Sequence, residues 1–309
     1  LFHFLTILEP EMSRYFPVHL KYFCESMRVW CSRPVRFEEC LLALLGSSES
    51  AEVCFEVQDD KLIISPAFHD QNSSESVLTN PKGFYGPVKL THPEFCPIYH
   101  IHKAEHNILT ANLSRGITAA VCVLLESCDE QVLISRRSAT MRTFPHVWVP
   151  PGGHIEPGET LESSCLRELE EEVGLKINSC QNIRILGSWE SVYPPFLSLG
   201  TPQRHHLVIY LIVTHDLSHS DITQTAKLNP KEVDALMWIG KEQAAFIADK
   251  KTQPPEPLYI YFPQSDGKLM RKETKLPQVC LDEVDLSQER ISTGTKYALD
   301  LWLKSKVSA

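Results

Sequence analysis

No C-x-x-C pair occurs among the ten cysteines of this 309-residue sequence, so the usual zinc-finger spacing is absent. No apolar run approaches the ~20 residues that a bilayer-spanning helix needs. Positive charge is also short: 30 Lys and Arg face 39 Asp and Glu, a formal net charge of -9. Without a global basic field the chain does not attract nucleic acid or anionic membrane indiscriminately. Any RNA contact must therefore be local, and no DNA or membrane partner is expected. Internal repeats and low-complexity tracts are missing too. The opening Leu1–Leu8 stretch is apolar but short and lacks a basic segment, so it does not read as a signal peptide. The chain begins at Leu1, and Met12 and Met27 are alternative natural starts.

What is present describes a soluble globular protein: 43% hydrophobic and 22% charged residues, enough for one large domain or two small ones. Cys122 sits in an apolar, strand-like run and Cys165 on an apolar helix face. Buried reduced thiols explain these better than disulfides, which points to a reducing compartment. The cytoplasm is the expected location, with the nucleus left open. Oligomeric state is not legible.

Residues 1–26 form an N-terminal extension without a clear period. From 27 to 112 the pattern suggests a small α+β unit and a linker. It has a strand at Met27–Cys31, a helix over Phe37–Leu45, and strands Glu52–Gln58 and Leu62–Ser65 around Asp59-Asp60. Asn72–Gly86 reads as loop. A domain over 113–250 follows, with strands at Gly116–Leu125, Gln131–Ser135, Ile183–Trp189, Leu207–Thr214 and Leu236–Ile239, and a helix at Lys241–Lys250. The PPEP stretch at Pro254–Pro257 marks the start of a 251–309 extension expected to pack on that domain. Its strand is Leu258–Phe262, and its amphipathic helix Glu289–Lys304 puts Ile291, Tyr297, Ala298, Leu301 and Trp302 near one side.

The richest stretch runs from Gly153 to Leu175. Gly153 is followed at fixed spacing by Glu159, Arg167-Glu168-Leu169, Glu171-Glu172 and Gly174-Leu175. On a helix, Glu168, Glu171 and Glu172 stand at i, i+3 and i+4 and share one face. Leu161, Cys165 and Leu169 make a separate apolar stripe. Like charges at these spacings destabilise a bare helix by ~0.2–0.5 kcal/mol per pair. A hard divalent cation reverses that sign, since oxygen ligands suit Mg²⁺ or Mn²⁺. Thr160 is the expected N-cap and Gly174 the expected helix end. The glutamate run alone would read as a solvated face; the two glycines, five charged positions and two aliphatic positions together do not.

This pattern, G-x5-E-x7-R-E-U-x-E-E-x-G-U with U aliphatic, resembles the Nudix box, the signature of hydrolases that cut a diphosphate linked to another group. The flanking WVPPGGH, WESVYPPFLS, RHHLVIYLIV, NPKEVDALMWI and RISTGTKYALDLWL are similar to the nucleoside diphosphate-linked moiety X motif 17 subfamily. The resemblance implies an α/β fold: a Nudix α/β/α sandwich with a small α+β N-terminal unit and a C-terminal helical extension. It implies that Glu168, Glu171 and Glu172, with the carbonyl of Gly152, bind metal. Arg167 would orient a neighbouring glutamate, and Glu159 would support the loop. Water would attack phosphorus directly, its proton taken by Glu168 or by a later acidic residue. Glu232 is the candidate for the later residue and Glu190 a second one.

The resemblance also implies a substrate: the 5′ cap of monomethylated capped RNA, cut to release 7-methyl-GDP. Arg136, Arg137 and Arg142 are candidate phosphate contacts, set against a solvated loop. Trp189, Tyr193 and Phe196 are candidate stacking rings, and Trp148 could join a sandwich around a cationic base. His205 and His206 alternate on a strand, so at most one, His206, faces a site. The alternative substrate is a small nucleotide: a nucleoside diphosphate derivative, a dinucleotide or a coenzyme A species. Two rival readings are a catalytically silent binding module and a partner-binding role for residues 27–112.

Overall fold

The structure is a computed structural model that describes residues 16–24, 29–67, 83–101, 116–177, 183–249, 257–275 and 288–307. The expected boundaries near 112 and 254 fall outside the described residues. So does the expected loop as far as residue 82.

Its centre is β6 (Thr118–Glu126), whose near-continuous apolar sequence is buried on both faces. Ala119, Val121, Val123 and Leu125 point into one core, and Leu124 into the other, as the period-2 pleat requires. The first four strands are β1 (Val18–Cys24), β2 (Val29–Pro34), β3 (Ser50–Gln58) and β4 (Lys61–Pro66); β5 is Phe84–Thr91. Past β6 come β7 (Val132–Arg137), β8 (Val147–Val149), β9 (Gly152–His154), β10 (Ile183–Tyr193) and β11 (Arg204–Thr214). The last are β12 (Val233–Ile239), β13 (Leu258–Pro263), β14 (Leu269–Thr274) and β15 (Arg290–Ile291). They form one mixed sheet, with main path β14-β13-β12-β7-β6-β11-β10-β5-β3-β4-β1-β2. Asp59 and Asp60, both at positive φ (48° and 56°), close the β3–β4 hairpin with the backbone that a two-residue turn demands.

Helices lie on both faces. The helices are α1 (Leu41–Leu44), α2 (Pro97–His100), α3 (Leu161–Val173), α4 (His219–Thr225), α5 (Lys241–Asp249) and α6 (Thr293–Val307). Leu161, Cys165 and Leu169 of α3 pack in one core with Phe16, Val18, Phe37 and Phe55. Ala244, Ile247, Ala298, Leu299 and Trp302 of α5 and α6 fill the other. This is an α/β sandwich, and the N-terminal strands share its first core. Among the described residues no helix is long and apolar enough to cross a membrane.

Several elements differ from expectation. The helix expected over 37–45 is a single turn, 41–44. The Glu39 carboxylate takes the Arg36 N–H and the Arg33 guanidinium, which holds 36–39 out of helical geometry. At the C-terminus, Arg290 and Ile291 pair with β8 as a strand, and helix begins only after Ser292, whose hydroxyl accepts the Thr295 N–H at 3.0 Å. Leu299, not Leu301, is fully buried there. β1, β5 and β14 were not expected. β14 is an edge strand with both faces largely exposed, so it carries no apolar period.

Candidate active site

The geometry of the site starts with the caps of α3. The Thr160 hydroxyl accepts the Ser163 N–H at 3.2 Å, and the Ser163 hydroxyl accepts the Thr160 N–H at 2.8 Å. At the other end Gly174 takes φ 70°, the left-handed cap that glycine adopts without steric cost. With the apolar stripe fixed in the core, Glu168 and Glu172 are carried into a buried corner (7% and 5% exposed), while Glu171 stays exposed.

That corner is shaped by β9. Gly152 and Gly153 pair with Cys122 and Val121 of β6. A Cβ on Gly153 would fall 2.3 Å from Glu168 Oε1, and one on Gly152 would fall 2.2 Å from the Val121 carbonyl. Any side chain here would displace the carboxylate or the strand.

Arg167 organises the carboxylates. Its guanidinium donates to both oxygens of Glu159 (2.6 and 3.0 Å), to Glu168 Oε1 (2.7 Å), to Glu171 Oε2 (3.0 Å) and to the His154 carbonyl (2.8 Å). Glu159 also accepts the Glu156 N–H, so it fixes the loop. Burial pushes the Glu168 carboxyl up to about 7 against the pull of Arg167. Burial, then the charge of Glu168, pushes Glu172 up to about 8. Among the described residues Glu172 Oε2 has no hydrogen-bond partner. Two buried carboxylates held beside a third and a loop of backbone are a donor set of hard oxygens, which fits a divalent cation.

Glu232 joins them through a backbone tie. The Lys227 and Asn229 N–H groups donate to the Val173 and Glu172 carbonyls at the end of α3, at 2.7 and 3.0 Å. Asn229 Nδ2 then donates to Glu232 Oε2 at 3.2 Å. Glu232 is half-buried and raises the pKa of both Glu168 and Glu172 through its charge. All four carboxylates line a cleft of ≈ 620 Å³.

The cleft also takes in Arg142, Trp189 and His206, but other expected contacts lie elsewhere. Arg136 does not line it. Its guanidinium is bonded to Asp234 (2.6 Å) and Glu289 (3.1 Å) and lies over the rings of Trp148 and Phe262. Its strand neighbour Arg137 faces the cleft instead, as alternation dictates. Trp148 is fully buried with Nε1 bonded to Glu289 at 2.8 Å, so it is no stacking ring. Tyr193 and Phe196 do not line the cleft; Tyr193 backs Phe144, which does, at 4.6 Å. Glu190 is excluded as a base. It is fully buried and bonded to the Leu41 N–H and His205 on the side of β10 away from Trp189 and Ser191.

Arg204, Phe144 and His154 line the cleft and were not anticipated. The signal for Arg204 was the period-2 run Arg204, His206, Val208, Tyr210 on β11, all of which reach the cleft. Burial lowers the pKa of His154 and of His206, whose rings lie 5.1 Å apart, so both are neutral donors or acceptors near neutrality.

Comparison with known proteins matches residues 116–262 to the NUDIX domain. The chain is 38% identical over 234 residues to the m7GpppN-mRNA hydrolase NUDT17 of Danio rerio, covering 71% of this chain and 78% of that protein. It is 39% identical to the proteins of the same name from Xenopus laevis (70% of this chain, 75% of that one) and Homo sapiens (70% of each).

Proposed function

The chain belongs to the Nudix hydrolase family, and from that premise we propose that it is a decapping enzyme, cutting the 5′ cap of methylated RNA to release 7-methyl-GDP. The observation that carries the chemistry is the meeting of Glu168, Glu171, Glu172 and Glu232 in one corner of the cleft. The relatives' shared name supports the substrate.

Glu168, Glu171 and Glu172, with the Gly152 carbonyl, would hold Mg²⁺ or Mn²⁺. Such an ion supplies charge neutralisation for the diphosphate and makes the attacking water more acidic. Arg167 keeps Glu168 aimed by a 2.7 Å bond and shares its charge with Glu171. Arg137, Arg142 and Arg204 present positive charge to the phosphates from the cleft wall. Neutral His154 and His206 offer hydrogen bonds without adding charge. Glu232 is the preferred proton acceptor, because Glu168 is already engaged by Arg167 whereas Glu232 is held by a neutral Asn229. Water then attacks phosphorus directly, with no covalent enzyme intermediate. Phe144, braced by Tyr193, and the edge of Trp189 give a cationic methylguanine an aromatic wall.

Labelled methylated and unmethylated capped RNAs, incubated beside a panel of free nucleotides with products identified by mass, test the proposal. Release of 7-methyl-GDP from the methylated cap is expected. Rapid turnover of a free nucleotide with no 7-methyl-GDP would replace this reading with a small-nucleotide hydrolase, which the net charge of -9 would suit.

A further inference from the structure

A second polar cluster lies buried away from the cleft, where α1, the loop after β5 and the middle of β10 meet. Cys40 (5% exposed) precedes α1, Cys96 (fully buried) precedes α2, and Glu190 (fully buried) points from β10 to the side opposite Trp189. One ligand atom from each lies within 4.8 Å of the other two. His92 stands four residues before Cys96, and its imidazole lies against the Cys40 thiol. We propose that Cys40, Cys96 and Glu190 hold a Zn²⁺ ion that ties the N-terminal strands to the catalytic sheet, with His92, beside the Cys40 thiol, turning in to complete the tetrahedron.

The orientation of each donor supports this. His92 Nδ1 sits 2.7 Å from the Pro93 carbonyl. An N–H faces a carbonyl at that distance, so Nδ1 carries a proton, and in the neutral ring the lone pair of Nε2 is left for a metal. Nε2 is buried and has no hydrogen-bond partner among the described residues. A backbone carbonyl fixing the distal nitrogen is how proteins commonly set a ligating histidine. Glu190 is similarly divided. Its Oε1 accepts the Leu41 N–H at 2.8 Å and His205 Nε2 at 2.9 Å, while Oε2 faces Cys40 Sγ at 3.3 Å. Zinc bonds of about 2.0–2.3 Å in a tetrahedron space their donors roughly 3.3–3.8 Å apart, so this pair is already at ligand spacing.

His205 bridges Glu190 (2.9 Å) and the Phe37 carbonyl (2.7 Å), which holds the carboxylate in place. Two thiolates and one carboxylate carry three negative charges, and Zn²⁺ offsets two of them, so a cation is what allows these ligands to ionise together in a buried site. Thiolates are soft ligands that bind zinc and reject magnesium. The site is therefore chemically separate from the carboxylate corner of the cleft. It also differs from the C-x-x-C pattern, because its ligands come from distant segments.

The test uses the full chain purified without chelator. Elemental analysis should find one zinc per chain that survives the mild chelation used to strip magnesium. Replacing that zinc with Co²⁺ should give thiolate-to-cobalt charge transfer and the visible bands of a tetrahedral centre. Cys96→Ser should lose both signals, and Glu171→Gln in the cleft should keep both. If Cys96→Ser does not fold, the parent protein's zinc content and cobalt spectrum still decide. A parent protein without zinc that develops no thiolate-to-cobalt absorption overturns the proposal. A Cys40–Cys96 disulfide found by peptide mapping of protein kept under reducing conditions overturns it equally.

Discussion

Replacing Glu172 with Gln separates what folding wants at this position from what catalysis wants. Glu172 is 5% exposed, and its Oε2 has no hydrogen-bond partner among the described residues. Its pKa is raised from 4.5 to about 8, first by burial and then by the charge of Glu168. In the cation-free protein the folded state thus holds this proton more tightly than the unfolded chain does. The resulting stabilisation is fully present below 4.5 and is lost as pH rises through about 8. At about 1.4 kcal/mol per unit, the whole effect is on the order of 5 kcal/mol. Glu168, lifted to about 7 mainly by burial, steepens the fall over the lower part of the same range. Glutamine keeps the shape and never ionises. Urea unfolding in EDTA at about pH 5 and about pH 9 should therefore show Glu172→Gln losing less stability with pH than the parent, ending ~1–3 kcal/mol more stable. Added Mg²⁺ should reverse that order, because only the parent keeps the full ligand set. Hydrolysis by the variant should fall ~10³-fold, about 4 kcal/mol of transition-state stabilisation. Parallel pH dependences for the two proteins would refute the claim that Glu172 is buried at a cost that a cation relieves.

Three further substitutions probe the surroundings. Gly153→Ala puts a methyl 2.3 Å from Glu168 Oε1, so steady-state assays should show a ~10–100-fold loss of kcat with the fold intact by circular dichroism. Arg167→Lys keeps the charge but not the fork that spans Glu159, Glu168 and Glu171; calorimetry should give ~10–100-fold weaker Mg²⁺ binding, and unchanged affinity would remove Arg167 as a positioning residue. Arg136→Ala should leave KM unaltered while costing about 1–2 kcal/mol of unfolding free energy, because the partly exposed Asp234 and Glu289 lose their shared cation. A raised KM there would restore Arg136 to the substrate site.

The parts of the site legible in the sequence are those whose chemistry is local. Glu168, Glu171 and Glu172 share one helix, so spacing alone aligns them, and Thr160 and Gly174 announce its ends. Glu232 follows an Asn-Pro turn just before β12, where the family resemblance implies a later acidic residue; the turn's tie to the end of that helix shows only in the structure. What stayed hidden depends on register. Arg136 and Arg137 are neighbours on β7, and only the pairing of Arg136 with Ala235 and Trp148 decides which faces the cleft. The same alternation sends Trp189 to the cleft and Glu190 to the opposite side. Cys40, Cys96 and Glu190 come from segments up to 150 residues apart, so no local spacing could have joined them. The N-terminal strands were hard to read for a related reason: their apolar residues pair with a core supplied by α3 and β6.

If the carboxylates of α3 hold a divalent cation at the cleft and hydrolysis runs through them, one assay decides it: 7-methyl-GDP release from methylated capped RNA, with Mg²⁺ or Mn²⁺, by the parent and by the double variant Glu171→Gln/Glu172→Gln. Cation-dependent release by the parent is expected, and none by a double variant that still unfolds cooperatively. Release by the double variant at the parent's rate would rule the carboxylates out.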